Sequence, residues 1–386
     1  MLRILQIHHV YTMQVGVVRS RLQVDSVDPA LDLGITMASE SKKKVCVVGF
    51  GAIGTIYAWL LDRSGEVEIT AVCRSNYASL TEHGVDIESS QYGDEKAWRP
   101  KRVFQTVQEA ADIDYDYIIA CFKTLPDLEP TPAVLGPLVQ RCQTFVLIQN
   151  GIGIERDLQE AIPQATIISG CAWIDVTLVD NYRIMRHGGI NRLVTGVHPP
   201  LPSTGDAQGN LRLRGDAALR QLEELWKKGG FEPTITSNIV AERWRKNLWN
   251  AAFSTLATLA RADLFQIYAK DAWEINRPVA EGLMNEVVTV ARAIGITEEL
   301  LPSSAVKHTV EFAQAAYSDP TKGKPFKPSM TVDLEAGRPM EVEGIVGSVV
   351  KQAKELSIAV PRLETTYAAL KLLQRGIIEK RSNSAR

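Results

Sequence analysis

Lys246, Asn250 and Ser254 follow one another at steps of four within Arg243-Trp244-Arg245-Lys246-Asn247-Leu248-Trp249-Asn250-Ala251-Ala252-Phe253-Ser254. On an α-helix this spacing sets a lysine, an amide and a hydroxyl in one polar stripe on a segment otherwise apolar enough to be buried. A lysine held against apolar surface loses hydration, so it releases its proton nearer neutral pH and can act as a general acid. The plainer alternative is that Lys246 reaches out to solvent. Farther along, the run from Pro328 to Gly344 combines Ser329, a turn at Gly337 and the carboxylates Asp333, Glu335, Glu341 and Glu343. Such a loop could set a hydroxyl and a carboxylate beside the lysine.

A second group of residues points to a nucleotide. Val45-Cys46-Val47-Val48 runs into Gly49-Phe50-Gly51-Ala52-Ile53-Gly54 and then into the helical pattern Thr55-Ile56-Tyr57-Ala58-Trp59-Leu60-Leu61. Gly49 permits a tight turn, Gly51 lets the backbone approach a pyrophosphate, and Gly54 lets the helix pack on the strand. The phosphates would then sit at the positive helix end. A glycine-rich loop with only a packing role is the alternative. The next apolar strand ends in Arg74-Ser75-Asn76, where an NAD-preferring site usually carries an acid for the ribose hydroxyl. A guanidinium flanked by hydroxyl and amide donors suits a 2′-phosphate instead, which predicts NADPH; a surface arginine in a turn is the alternative. Lys123 and Asn150 each follow a further strand. Singly, they read equally well as a solvated lysine and a turn-satisfying asparagine. Their shared place at the carboxyl ends of strands, where open α/β sheets bind ligands, favours a role in a site.

These residues need a scaffold. From Lys44 to about Gly151, the strand-like runs KVCVVG, VEITAV, YDYIIACF and TFVLIQ alternate with helical stretches, which predicts a parallel sheet with crossover helices. The runs TIISGCAWIDVTLV, YRIMRH and RLVTGV read as hairpin strands extending or flanking it, and Pro199 to Asn210 as a loop. After Thr236 the pattern turns helical: Ile239 to Ala260, Trp273 to Ile294, Ser304 to Tyr317, Val342 to Leu356 and Leu363 to Ile378. The predicted class is therefore α/β, with an N-terminal Rossmann-type dinucleotide-binding domain over residues 42–236 and a C-terminal all-helical substrate domain over 237–380. A tail over 381–386 follows, and the active site lies in the cleft between the domains.

With 386 residues, 45% of them hydrophobic and 23% charged, the chain has the composition of a folded protein of two domains. A net charge of -2 gives no electrostatic footprint for nucleic acid or an anionic membrane, which leaves a small molecule as the expected partner. Cys46, Cys73, Cys121, Cys142 and Cys171 form no CxxC pair and read as buried, reduced thiols of a cytoplasmic protein. The six histidines lack ligand spacing, so no metal site is expected. Residues 1–41 are acid-poor at their start, with Arg3, Arg19 and Arg21 before Asp25; they read as a disordered extension, a mitochondrial transit peptide being the alternative.

Taken in order, VGFGAIG, strand-end Lys123, Gln149-Asn150-Gly151, the Lys246 helix with Asn250, Glu286-Val287 before Ala291-Arg292-Ala293-Ile294-Gly295, and the Ser329-to-Glu341 segment resemble the ketopantoate reductase (2-dehydropantoate 2-reductase) family. The resemblance extends from about Lys44 to Gln374 and closes with Gly344 and Ile358-Ala359-Val360-Pro361. It implies NADPH-dependent reduction of a 2-oxo acid, with ketopantoate converted to pantoate for coenzyme A synthesis. Lys246 would be the general acid, and Glu341 would hydrogen-bond the developing hydroxyl and position the lysine. Asn250 and Ser329 would hold substrate, Lys123 would line the cofactor and substrate cleft, and Asn150 would lie near the nicotinamide. A homodimer is compatible with this reading. Ser254-Thr255 stands where the family commonly has a second asparagine followed by proline, which opens the alternative of a paralogue acting on another carbonyl. A non-catalytic nucleotide sensor on the same fold is the alternative from another class, disfavoured by the retention of Lys246 and Glu341.

Overall fold

The computed structural model describes residues 41–319, 321 and 325–384, so the expectations for residues 1–40 lie outside the described residues. β1 (Lys43–Val48) directs Val45 and Val47 to one face and Cys46 and Val48 to the other, and an apolar cluster covers each face. A strand buried on both sides has no polar face to keep, which is why it reads as an unbroken apolar run. β2 (Val67–Val72) and β6 (Tyr117–Ala120) pair with β1 in parallel from opposite sides. The chain thus leaves β1 in one direction and returns in the other, and this reversal opens a crevice outside the carboxyl ends of β1 and β6.

β3 (Val85–Ser89), β4 (Glu95–Trp98), β5 (Arg102–Phe104), β7 (Thr144–Leu147), β8 (Thr166–Val179), β9 (Ile184–Val197) and β10 (Thr234–Ile235) complete a mixed sheet of order β4-β3-β9-β8-β7-β6-β1-β2-β5, with β10 beside β9. From β5 across to β8 neighbouring strands are parallel, and β8 and β9 form a long antiparallel hairpin. From Ile184 the runs YRIMRH and RLVTGV are one strand, β9, paired with β8 on either side of a bulge at Gly188, Gly189 and Ile190, where a Cβ on Gly188 would lie 2.2 Å from Asp175. The expected loop from Pro199 to Asn210 is instead a short 3₁₀ turn, Pro202–Ala207, that leads into a helix over Gln208–Lys228. That helix buries Leu211, Leu219, Leu222, Leu225 and Trp226 against the sheet, and its apolar stripe outweighs the turn-forming residues before it.

Beyond Ile235 the described residues contain helices and no strand. Their core is a separate apolar cluster that includes Trp244, Phe253, Met284 and Val346. The segment Ile239 to Ala260 is continuous but not uniform: α-helix over Ile239–Trp249, a π-helical turn over Asn250–Ser254, then α-helix over Thr255–Ala260. Likewise Glu343–Gly347 is π-helical before the α-helix Ser348–Glu355. Such turns carry an extra residue and commonly flank functional sites. The last helix runs over Pro361–Ser384, past the expected end at Ile378. Among the described residues, no helix is long and apolar enough to cross a membrane.

Candidate active site

The glycine turn sorts its three glycines by what surrounds them. Gly49 has φ +89°, and a Cβ there would lie 2.3 Å from the Phe122 nitrogen, so the turn presses directly on the end of β6. A Cβ on Gly54 would lie 2.4 Å from the Gly49 carbonyl oxygen, which makes close helix-strand packing the reason for that glycine. Gly51, by contrast, is exposed and has nothing within 4 Å of its Cβ position. It caps the helix Ala52–Asp62 with no side-chain hydrogen bond, so the first-turn N–H groups remain available to an anion. A pyrophosphate fits this edge.

Packing decides where two neighbouring side chains go. The Phe50 ring is buried and stacks on Trp98 at 6.0 Å, so only its backbone belongs to the turn. Asn76 is buried and donates its amide to the Phe50 carbonyl oxygen at 2.6 Å, which ties the end of β2 to the turn and removes that amide from the expected phosphate donors. Arg74 and Ser75 stay exposed, while Ala52 and Ile53 are half-buried.

At the ends of β6 and β7 the chain converges on Glu341. One carboxylate oxygen accepts the Thr124 backbone N–H at 3.2 Å, and the other accepts the Asn150 amide at 3.3 Å. Burial pushes the Glu341 carboxyl up from the ordinary range, opposed by the Lys123 charge and by these two hydrogen bonds. Gly151 has φ +106°, and its Cβ position would meet the Gly344 backbone at 2.8 Å; the Ile152 N–H donates to the Gly344 carbonyl oxygen at 2.8 Å. The Asn150 turn and the Glu341 segment are therefore joined backbone to backbone. Lys123 forms an ion pair with the buried Asp333, which also accepts from Arg338 at 3.0 Å.

Lys246 donates its ammonium to the Ala172 carbonyl oxygen and lies 5.5 Å from the centre of the Trp173 ring. Burial pushes its pKa down to about 8, helped by Arg243 and opposed by Glu341. The same Trp173 ring has the Arg192 guanidinium 5.2 Å away, set there by the direct pairing of Trp173 with Arg192 across β8 and β9. Asn250 is buried, and its Nδ2 has no partner. Ser254 is buried in the π-helical turn, and Ser329 opens the helix Ser329–Glu335 in an exposed position. The extra residue of the π turn breaks the uniform stripe expected for Lys246, Asn250 and Ser254.

Three contributors escaped the sequence reading, and a fourth, Asp333, stood there only as one of several carboxylates. Arg243 is 4% exposed, and its guanidinium donates to Ser169 and to the carbonyl oxygens of Leu147, Gln149 and Gly151. Asp333 gathers Lys123 and Arg338. Trp173 and Arg192 form the wall beside Lys246. Asp333 and Arg338 sit five apart around Gly337, a legible signal; the strand pair carries none.

A dinucleotide turn and a lysine-carboxylate site on one strand-end edge is the plan of a nicotinamide-dependent oxidoreductase. The family described as Ketopantoate reductase PanE/ApbA matches residues 45–200, and its C-terminal part, Ketopantoate reductase PanE/ApbA C terminal, matches 238–374. The chain belongs to the ketopantoate reductase family. It is 29% identical to an uncharacterized protein of Saccharomyces cerevisiae over 88% of this chain and 95% of that one. The crystal structure of 2-dehydropantoate 2-reductase from Methylococcus capsulatus is similar with a TM-score of 0.67 at 30% identity, covering 86% of this chain and 97% of the other. A ternary structure of D-mandelate dehydrogenase with NADH and anilino(oxo)acetate shares the fold with a TM-score of 0.69 at 19% identity, covering 86% and 99%.

Proposed function

We propose that this protein reduces a 2-oxo acid with NADPH, the leading substrate being 2-dehydropantoate and the product pantoate for coenzyme A synthesis. The observation that carries the reading is the convergence on Glu341 of two strand ends, through Thr124 and Asn150, on the edge where Lys246 is held with a lowered pKa. In this reading residues 42–236 bind the dinucleotide and residues 237–380 bind the acid. Gly49, Phe50, Gly51, Ala52, Ile53 and Gly54 hold the pyrophosphate by their backbone, Arg74 takes the 2′-phosphate, and Lys123 and Asn150 line the nicotinamide side. When bound, the cofactor supplies a hydride to the carbonyl carbon. The chain's own work is on the oxygen: Lys246 Nζ gives it a proton as negative charge develops, and Glu341 accepts a hydrogen bond from the new hydroxyl. Asn250, Ser254 and Ser329 hold the substrate; the unpartnered Asn250 amide has a donor free for it.

The second reading is a paralogue that keeps this machinery for another carbonyl, favoured by Ser254 in place of the family's second asparagine. The D-mandelate dehydrogenase neighbour, solved with NADH, makes the cofactor an equally testable point. NADPH and NADH oxidation by purified protein, assayed with 2-dehydropantoate and a panel of 2-oxo acids, separates the readings. No turnover of 2-dehydropantoate ends the first; no turnover of any, with dinucleotide still bound, favours a sensor. A cytoplasmic homodimer completes the proposal, checked by sedimentation.

A further inference from the structure

Arg243, Arg245 and Lys246 crowd into four positions of one helix, and the fold gives them different surroundings. Arg245 pairs with Glu242 at 3.4 Å and donates to the Leu300 carbonyl oxygen at 2.8 Å, within the helical half. Arg243 points the other way. It spans the last carbonyl of β7 and two of the turn that follows, donating to Leu147 at 3.2 Å, Gln149 at 2.9 Å and Gly151 at 3.3 Å, and its Nε reaches the Ser169 hydroxyl on β8. A planar fork of five donors can do this; a lysine ammonium is a point charge and cannot span the set. The turn so held carries Asn150 between Gln149 and Gly151, and the Asn150 amide is the side chain that donates to Glu341.

We propose that Arg243 is a positioning residue of this site: its guanidinium pins the turn that presents Asn150, and through Asn150 the carboxylate of Glu341, to Lys246. The inference rests on the reading of Lys246 as the proton donor, but its geometry stands apart from any substrate. Arg243 also brings a charge to one helical turn before Lys246, and no carboxylate hydrogen-bonds it among the described residues. The groups that face Lys246 are Arg243 on its own helix, Glu341 from the segment after the Ser329–Glu335 helix, and Cys171 from β8, with Arg192 beyond the Trp173 ring. Cys171 is held neutral by burial, so Arg243 and Glu341 are the opposing charges.

Arg243→Lys keeps the charge and loses the span, whereas Arg243→Gln loses both. The pH midpoint of Lys246 acylation, read peptide by peptide by mass spectrometry, reports the lysine without any substrate; kcat and KM report the turn. Arg243→Lys is expected to lower kcat by about tenfold or more, as small displacements at a site do, with dinucleotide affinity within about twofold and the Lys246 midpoint near wild type. Arg243→Gln is expected to lower kcat at least as far and to move the midpoint upward. Wild-type kcat and an unmoved midpoint in both variants overturn the proposal, as does a loss fully matched by the unfolded fraction. If the glutamine variant does not fold, Ser169→Ala loosens one anchor while the three carbonyls stay paired; a smaller kcat loss with the same split supports the proposal, and unchanged kcat overturns it. If wild-type protein turns over no 2-oxo acid the proposed function falls, and the Lys246 midpoints still judge Arg243.

Discussion

At the level of single residues the proposed chemistry rests on Lys246, and its environment sets when it can act. Burial lowers its pKa to about 8, so the protonated form that donates to a ketone is depleted as pH rises through that value. kcat/KM for the 2-oxo acid is therefore expected to be flat near neutrality and to fall above pH about 8, which a profile from pH 6 to 10 measures; a limb absent below pH 10 sinks the assignment. Lys246→Ala should lower kcat by about 10²- to 10⁴-fold, the usual worth of a general acid, with NADPH binding retained in a fluorescence titration. Arg74, exposed at the end of β2, tests the cofactor separately. Its loss should weaken NADPH by about tenfold or more, the value of one charge-assisted contact, and leave NADH unchanged. Equal effects on both dinucleotides refute a 2′-phosphate contact.

At the level of elements, the turn between β1 and the helix Ala52–Asp62 makes a prediction by contrast. Gly51 opens to space with φ -82°, whereas Gly54 is walled by the Gly49 carbonyl. Gly51→Ala should leave Tm within about 2 °C of wild type, as an unobstructed exposed substitution does, while weakening dinucleotide binding. Gly54→Ala should destabilise the fold by about 1–3 kcal/mol, because the added methyl must displace backbone. Calorimetry on the two variants checks both; a Gly54→Ala protein as stable as wild type contradicts the packing. The π-helical turn Asn250–Ser254 is held at this same level. The Asn247 amide donates to the Ile345 carbonyl oxygen inside the second π turn, and the hydroxyls of Thr255 and Thr258 bond back to the carbonyls of Ala251, Ala252 and Ser254, so tertiary contact and local back-bonding together stabilise a widened helix.

Across the whole molecule, the halves share a buried electrostatic seam behind the site. Glu155 after β7 and His198 after β9 pair at 3.2 Å and line, with Arg243 and Trp244, a cavity of about 130 Å³. Burial alone would raise the Glu155 carboxyl, yet the His198 charge and hydrogen bond and the Arg243 charge bring it down to about 2. A depressed carboxyl stabilises the fold above its ordinary pKa, and that contribution is lost as pH falls from about 4.5 toward 2. Denaturant unfolding over this window should show a loss on the order of 2–3 kcal/mol, and Glu155→Gln should flatten it. An unchanged slope in that variant assigns the acid sensitivity elsewhere.

The sequence by itself determined what local chemistry encodes: apolar strands, the glycine turn and the helical second half, each carried within a few neighbours by period and turn type. It offered Lys246, Lys123 and Asn150 as candidates by their place on a helix or at strand ends, while Glu341 stood among several carboxylates until the family resemblance singled it out. The merging of β9 was hidden, since two glycines look like a break, whereas the pairing with β8 resumes beyond a bulge at that point. Arg243 and Arg245 were indistinguishable in a run of cations, because a two-residue step on a helix decides direction only once there is a sheet to face. The Phe50 ring and the Asn76 amide were likewise assigned by packing, one to the core and the other to a neighbouring carbonyl. What only the tertiary structure decided is convergence: Asn150 and Glu341 are 191 positions apart and meet at 3.3 Å. No local preference encodes that distance; it follows from the turn after β7 packing into the helical core, where Ile152 joins the cluster of Trp244 and Val346 and donates its N–H to the Gly344 carbonyl oxygen.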